Sequence, residues 1–181
     1  LSYRLINEAT VGFENLVKAA FQMETKFADI QSITAATNED MSKLKTTIFE
    51  VGQNSKFTVD ELAEATTTLG QAGLSANEIN NVLETTSNLA MATGSSLEST
   101  VDVMTSAIAV WGLNSEEAEH LADVMVSGMN KTKATLDTFR MSVQYAGSTV
   151  AGLNVNFEDF AAVISAAANA GLRSSVIGTG L

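Results

Sequence analysis

Thr58-Val-Asp-Glu-Leu-Ala-Glu-Ala65 decides the fold, because the phrase returns as Ser96-Leu-Glu-Ser-Thr-Val-Asp-Val103 and again as Thr135-Leu-Asp-Thr-Phe-Arg-Met-Ser142, at offsets of 38 and 39 residues. Each copy opens on a hydroxyl side chain suited to capping a helix N-terminus, and each reaches a glycine and a leucine about 15 to 17 residues later. Those stops are Gly73-Leu74, Gly112-Leu113 and Gly152-Leu153, with a fourth at Gly171-Leu172. A glycine followed by an apolar residue suits a Schellman end, the glycine taking the left-handed C′ position and the next side chain folding back on the helix. A second helix starts at once in each unit. Ser75-Ala-Asn-Glu78 has capping-box spacing, Ser115 precedes Glu116 and Glu117, and Asn156 precedes Glu158 and Asp159.

Inside the segments the apolar residues keep helical spacing: Leu62, Ala65, Leu69 and Ala72; Leu97, Val101, Met104 and Ile108; Leu136, Phe139, Val143, Ala146 and Val150. No segment alternates with period two. The expected fold is all-α, with helices at roughly 58–72, 76–92, 97–111, 116–130, 136–151 and 157–170 forming a compact array of α-hairpins over 38–181. Upstream the pattern changes. Ile6, Phe13, Ala20, Phe27 and Thr34 recur every seven residues with Ala9, Leu16, Met23 and Ile30 between them, which predicts a heptad helix over 1–37. Ile6, Phe13, Leu16, Ala20, Met23, Phe27 and Ile30 form its expected oligomer seam; the alternative is an amphipathic helix folded back on its own domain. Asn38-Glu39-Asp40 is expected to cap a further helix over about 41–53, with Leu44, Ile48 and Val51 on its face.

Composition narrows the function. In 181 residues there is no proline to interrupt a helix and no cysteine for a disulfide, a thiolate metal site or thiol catalysis. The net charge of −11 has the wrong sign for tight binding to a phosphate backbone. The longest uncharged stretch, Met141 to Phe157, is too polar for a membrane span, and the N-terminus has no basic region leading into an apolar block. Leu1 is not a methionine, which suggests a fragment of a longer chain.

Residues with chemical potential have plainer readings beside them. Asp60, Glu61 and Glu64, then Glu116, Glu117, Glu119 and Asp123, then Glu158 and Asp159 all begin in first helical turns, where carboxylates favour the helix dipole without any catalytic task. Glu117 and His120 make one Glu-x-x-His, whereas a di-iron bundle needs two, and the chain has a single histidine. Trp111 reads as a core anchor or the wall of an aromatic pocket. Met91, Met104, Met125, Met129 and Met141 read as core fillers or an adaptable partner surface. Lys131, Lys133 and Arg140 are too sparse for a nucleic-acid groove. Asn130-Lys-Thr132 is a glycosylation-like triplet, and Gly178-Thr-Gly180 is too short for a nucleotide fingerprint. No catalytic, cofactor or metal residue is therefore expected.

The wording itself resembles a known family. Phe21 to Thr37, Ser55-Lys-Phe-Thr58 with Glu61-Leu-Ala-Glu-Ala65, Leu69-Gly-Gln-Ala-Gly-Leu-Ser75, Leu89-Ala-Met-Ala-Thr-Gly94, Trp111-Gly-Leu113 and Ala170-Gly-Leu-Arg-Ser-Ser175 resemble, in order, the core domain of phage tail tape measure proteins. Trp111 stands where that family more often has phenylalanine. The resemblance implies a non-enzymatic virion protein inside the tail tube, which sets tail length during assembly and leaves ahead of the DNA at ejection. It implies a trimer of itself, tail tube and tail-tip or baseplate proteins as partners, tail assembly chaperones in the host cytoplasm, and the host membrane as a contact during ejection. It implies no cofactor. A soluble α-hairpin adaptor and a membrane-active helical protein are the alternatives. Because hairpins fold length back on itself, this segment is expected to be a docking or nucleation module.

Overall fold

The computed structural model describes residues 2–172 and 174–180, with side chains from Lys18 onward save those of 175 and 178. The helices are α1 Ser2–Thr34, α2 Asn38–Asn54, α3 Val59–Gln71, α4 Ala76–Thr93, α5 Leu97–Trp111, α6 Ala118–Lys131, α7 Leu136–Ser142, α8 Ser148–Gly152, α9 Phe157–Asn169 and α10 Ser174–Gly180. A single 3₁₀ turn, Ser115–Glu117, leads into α6, and a π turn, Val143–Gly147, joins α7 to α8. No strand occurs among the described residues. The chain is all-α.

The helices lie in two rows. Each packs mainly on the next but one: α1 on α3, α3 on α5, α5 on α7 and α7 on α10 in the first row; α2 on α4, α4 on α6 and α6 on α9 in the second. One repeat therefore supplies one helix to each row, and the core is the seam between them. Leu44, Leu62, Leu69, Ile79, Leu83, Met104, Leu121, Met125, Phe139 and Phe160 are all fully buried there. Each such side chain contributes about 1.5–3 kcal/mol relative to exposure. This is why hairpins that cannot close a core alone are stable when stacked.

One turn unit makes most of the reversals. A residue in the left-handed region ends the helix, one residue follows, and the next is an extended N-cap. The pairs are Ala35 and Thr37, Gly73 and Ser75, Gly94 and Ser96, Gly112 and Asn114, and Asn154 and Asn156. In each, the amide between the two donates back to the carbonyl five residues earlier: Ala36 to Gln31, Leu74 to Leu69, Ser95 to Ala90, Leu113 to Ile108 and Val155 to Val150, at 3.0–3.3 Å. Gly171 (φ +86°) and Leu172 close α9 the same way onto Ala167. The remaining two connections share a different word. In Ser55-Lys-Phe-Thr58 and Thr132-Lys-Ala-Thr135 the first hydroxyl accepts from the amide two residues on, at 3.2 and 3.1 Å, and the last caps the next helix.

Several expectations need correction. Gly152 is not a left-handed stop: helix α8 runs through it, and Asn154 (φ +60°) takes the strained position two residues later. Asparagine is the side chain that best replaces glycine there. The cap of the α6 region is Asn114 rather than Ser115, its side chain accepting from Glu116 and Glu117. Thr37 rather than Asn38 caps α2, which starts three residues earlier than expected. The expected helix over 136–151 is divided by the π turn, and α10 adds a helix that the spacing did not predict.

The expected amino-terminal seam divides as well. Ile6, Phe13 and Leu16 have side chains outside the described residues, Ala20 is exposed and Met23 half-buried, while Phe27 and Ile30 are buried in this chain's own core. The Phe27 ring lies 6.4 Å from that of Phe49 on α2, with the Lys45 ammonium 4.8 Å from its centroid. Gly70 lets α1 pass close to α3, since a Cβ there would stand 3.0 Å from Thr34 and 3.1 Å from Ile33. Lys26 completes the contact, bonding Asp60 and, at 3.0 Å, Glu64. The last two seam residues are thus occupied intramolecularly and are not open to another copy.

Candidate functional site

The corner where α5, α6 and α9 meet gathers the residues with the most chemistry. Trp111 ends α5 and points across the array. Its indole Nε1 donates to the Val155 carbonyl at 2.9 Å, and its ring meets Phe157 edge-on at 5.1 Å and Phe160 at 4.9 Å. The indole therefore fastens the α5 end to the α8–α9 turn, satisfying its polar group while its body packs. Beside it a cleft of about 610 Å³ is lined by Trp111, Leu113, Glu117, His120, Asn154 and Glu158. A second cleft, about 460 Å³, continues between α6 and α9 along Val124, Gly128, Ala161, Ala162 and Ser165. His120 and Glu158 stand between the two, their Nε2 and Oε1 2.7 Å apart.

The carboxylates at this corner already have structural tasks. Glu117 accepts from the Asn114 amide at 2.9 Å, closing a capping box. Glu158 has its pKa held below the ordinary value, first by the bond from His120 and then by the backbone amide at its helix start. A carboxylate stabilised in its charged form is a poor general acid. The Glu117-x-x-His120 pair is split, one member capping a turn and the other reaching α9.

Elsewhere the same holds. Glu61 and Glu78 each take hydrogen bonds from their own N-cap residue, Thr58 and Ser75, which lowers both pKa values. Asp60 and Glu64 hold Lys26, whose pKa is raised chiefly by the bond to Asp60. Arg140 pairs with Asp137 at 2.7 Å, and Thr132 of the glycosylation-like triplet donates to the Gly128 carbonyl at 2.8 Å. Met104 and Met125 fill the core, with Met91 and Met129 half-buried against it. Among the described residues no group of three or more His, Asp or Glu is placed to hold a metal ion, and no helix is long and apolar enough to cross a membrane.

Of the glycines expected at turns, Gly73, Gly112 and Gly171 have positive φ (+97°, +63° and +86°) and Gly152 does not. Gly94 (φ +67°) does the same job at the end of α4, a turn that the Gly-Leu signature misses because serine follows. The +2 spacing to a capping Ser, Thr or Asn is the signal that finds it. Gly128 was also missed. A Cβ there would stand 2.6 Å from the Ser165 hydroxyl and 3.1 Å from the Phe139 ring, so the glycine sets the close approach of α6 to α9.

In sequence the chain is similar to tape measure proteins of phages. Over 165 residues, 91% of this chain, it is 27% identical to a tape measure protein of Pneumococcus phage Dp-1, of which that stretch is 14%. It is 24% identical over 94% of its length to a probable tape measure protein of Escherichia phage P2, covering 21% of it. The chain thus spans about a seventh to a fifth of these relatives. No solved structure matches it significantly. The family described as phage-related minor tail protein matches residues 45–181, from within α2 to the last residue and so across both rows of the array, and the chain belongs to that family.

Proposed function

We propose that this chain is the folded anchor of a tape measure protein: a segment lying in the phage tail that takes part in tail assembly and in setting tail length without itself contributing length as an extended rod. The observation that carries this reading is the likeness to tape measure proteins over nine-tenths of the chain, combined with a fold that turns back at every repeat. Even as one continuous helix, 181 residues would reach only about 270 Å at roughly 1.5 Å per residue, and the two-row packing shortens that several-fold.

In this reading the protein is a virion component and not an enzyme. The partners are further copies of itself, as a trimer through the amino-terminal part of α1, then tail tube and tail-tip or baseplate proteins, with assembly chaperones in the host cytoplasm. Its acidic surface lets DNA pass without sticking, since like charge repels. At ejection it leaves the tube ahead of DNA and meets the host membrane. Limited proteolysis and mass spectrometry of purified tails test the placement. Peptides of this segment are expected inside intact tails, protected until the tail tip is opened. Tails that lack them, or that expose them from the outset, would defeat it.

A further inference from the structure

Between α2 and α4 lies an acidic cleft of about 330 Å³ whose polar groups have no other task. Helix α2 lines it with Glu50, Val51 and Asn54, and α4 with Asn80, Glu84 and Ser87, at helical intervals that put each set on one face. Two polar atoms at its floor, Asn80 Oδ1 and Ser87 Oγ, are buried without a hydrogen-bond partner, and Ser87 is wholly buried. Leaving such atoms unpaired is costly, so they mark where a bonding group is missing. The two exposed carboxylates are unspent as well. Unlike the acids at the helix starts, Glu50 and Glu84 cap no helix. The lysines of α2 and its following turn are directed elsewhere: Lys43 bonds Glu39 at 2.9 Å, and Lys45 and Lys56 lie over the rings of Phe27 and Phe57. Asn54 donates through Nδ2 to the Glu50 carbonyl at 2.9 Å, which leaves its Oδ1 as a further acceptor.

We propose that this cleft receives an arginine side chain of a partner protein. A guanidinium is a planar fork of donors with no acceptor, and it suits a site where carboxylate, amide and hydroxyl oxygens all accept. Its charge sits between Glu50 and Glu84, its remaining N–H groups reach the unpaired oxygens of Asn80 and Ser87, and its aliphatic stem lies along Val51. A divalent cation suits the cleft less. Such ions take about six or more oxygen ligands, Val51 occupies part of the wall, and among the described residues no group of three or more His, Asp or Glu is placed to hold a metal. Lysine brings a compact point charge with three donors and matches the spread of acceptors less well. The net charge of −11 draws a basic partner toward this surface. The site does not depend on the tail role proposed above.

Titration of the chain with N-acetyl-arginine amide, followed by NMR, tests the site, because the side-chain amide signals of Asn54 and Asn80 report on it directly. Saturable shifts of these signals are expected. N-acetyl-citrulline amide keeps the shape without the charge and should bind about tenfold more weakly or worse, with the lysine analogue weaker than arginine. Glu50→Gln and Glu84→Gln, both at exposed positions, should each weaken arginine binding about threefold. Glu119→Gln removes the same charge from exposed α6 and should leave it unchanged. Absence of saturable shifts overturns the proposal, as does citrulline or lysine binding as tightly as arginine. Equal weakening by all three variants also overturns it, in favour of net charge alone. Calcium ions that saturate the same signals at lower concentration than arginine would overturn it in favour of a metal site.

Discussion

Replacing Gly112 and Gly152 separately by alanine distinguishes two helix ends that read alike in sequence. Gly112 has φ +63° and Gly152 is helical, and at both sites a Cβ would meet nothing within 4 Å. Sterics with the rest of the fold therefore cancel, leaving only backbone preference. At Gly112 an alanine must hold the left-handed region, at about 1–2 kcal/mol. At Gly152 the alanine relieves helical glycine of its unfolded-state entropy and stabilises by about 0.5–1 kcal/mol. The two variants should differ by about 2 kcal/mol. At roughly 2–4 °C per kcal/mol for a domain of this size, Gly112→Ala melts lower than the parent, Gly152→Ala higher, and the gap is about 4–8 °C. Thermal unfolding followed by circular dichroism at 222 nm reads both. A fall in melting temperature for both variants would place a left-handed turn at Gly152 and refute the assignment to Asn154. Asn154→Gly, tolerated or mildly stabilising at φ +60°, is the companion check.

Gly128→Ala drives a methyl group into the Ser165 hydroxyl and the Phe139 ring, and is expected to cost about 1–3 kcal/mol; adding Ser165→Ala should recover part of it, measured as coupling in a double-mutant cycle. Trp111→Phe keeps the aromatic packing but strands the Val155 carbonyl, at about 1–3 kcal/mol, read from denaturant midpoints. Because Glu61, Glu78 and Glu158 have lowered folded-state pKa values, the unfolded chain binds more protons in acid. Their contribution is present above the ordinary value of 4.5 and is lost as pH falls through the folded values. Melting temperature should drop below pH 4.5, and less steeply in Glu78→Gln. Sedimentation velocity tests self-association: Phe13→Asp should lower the association state, while a parent that is monomeric at every concentration removes the seam.

Much of the array was legible because its punctuation is local. Thr58, Ser75, Ser96, Thr135 and Asn156 are N-caps in the structure, as their hydroxyl or amide side chains before acidic or small polar residues suggested. The misplaced stop at Gly152 came from reading the Gly-Leu pair without its distance to the next N-cap. The turn is set jointly by its two ends, and an N-cap at Asn156 requires the left-handed residue at 154. The seam was ambiguous for a different reason. A seven-residue spacing gives Phe27 and Ile30 one face but does not say whether this chain's own helices or another copy cover it. Gly70 and Gly128 carry no local signal at all, since their role is defined by helices distant in sequence. The π turn at Val143–Gly147 likewise lies against α5, where a Cβ on Gly147 would sit 3.3 Å from Val110.

The anchor account meets its most direct test in tail length. Removing Ser95 to Lys133 from the longer protein takes one helix, α5 and α6, from each row. If the segment is a folded array, the loss shortens it by about one helix spacing, 8–10 Å. Electron microscopy of lysates should then show either no assembled tails or tails within about 10 Å of parental length. If the segment lies extended as a ruler, the 39 deleted residues correspond to about 58 Å at roughly 1.5 Å each. Intact tails uniformly shorter by that amount would contradict the account.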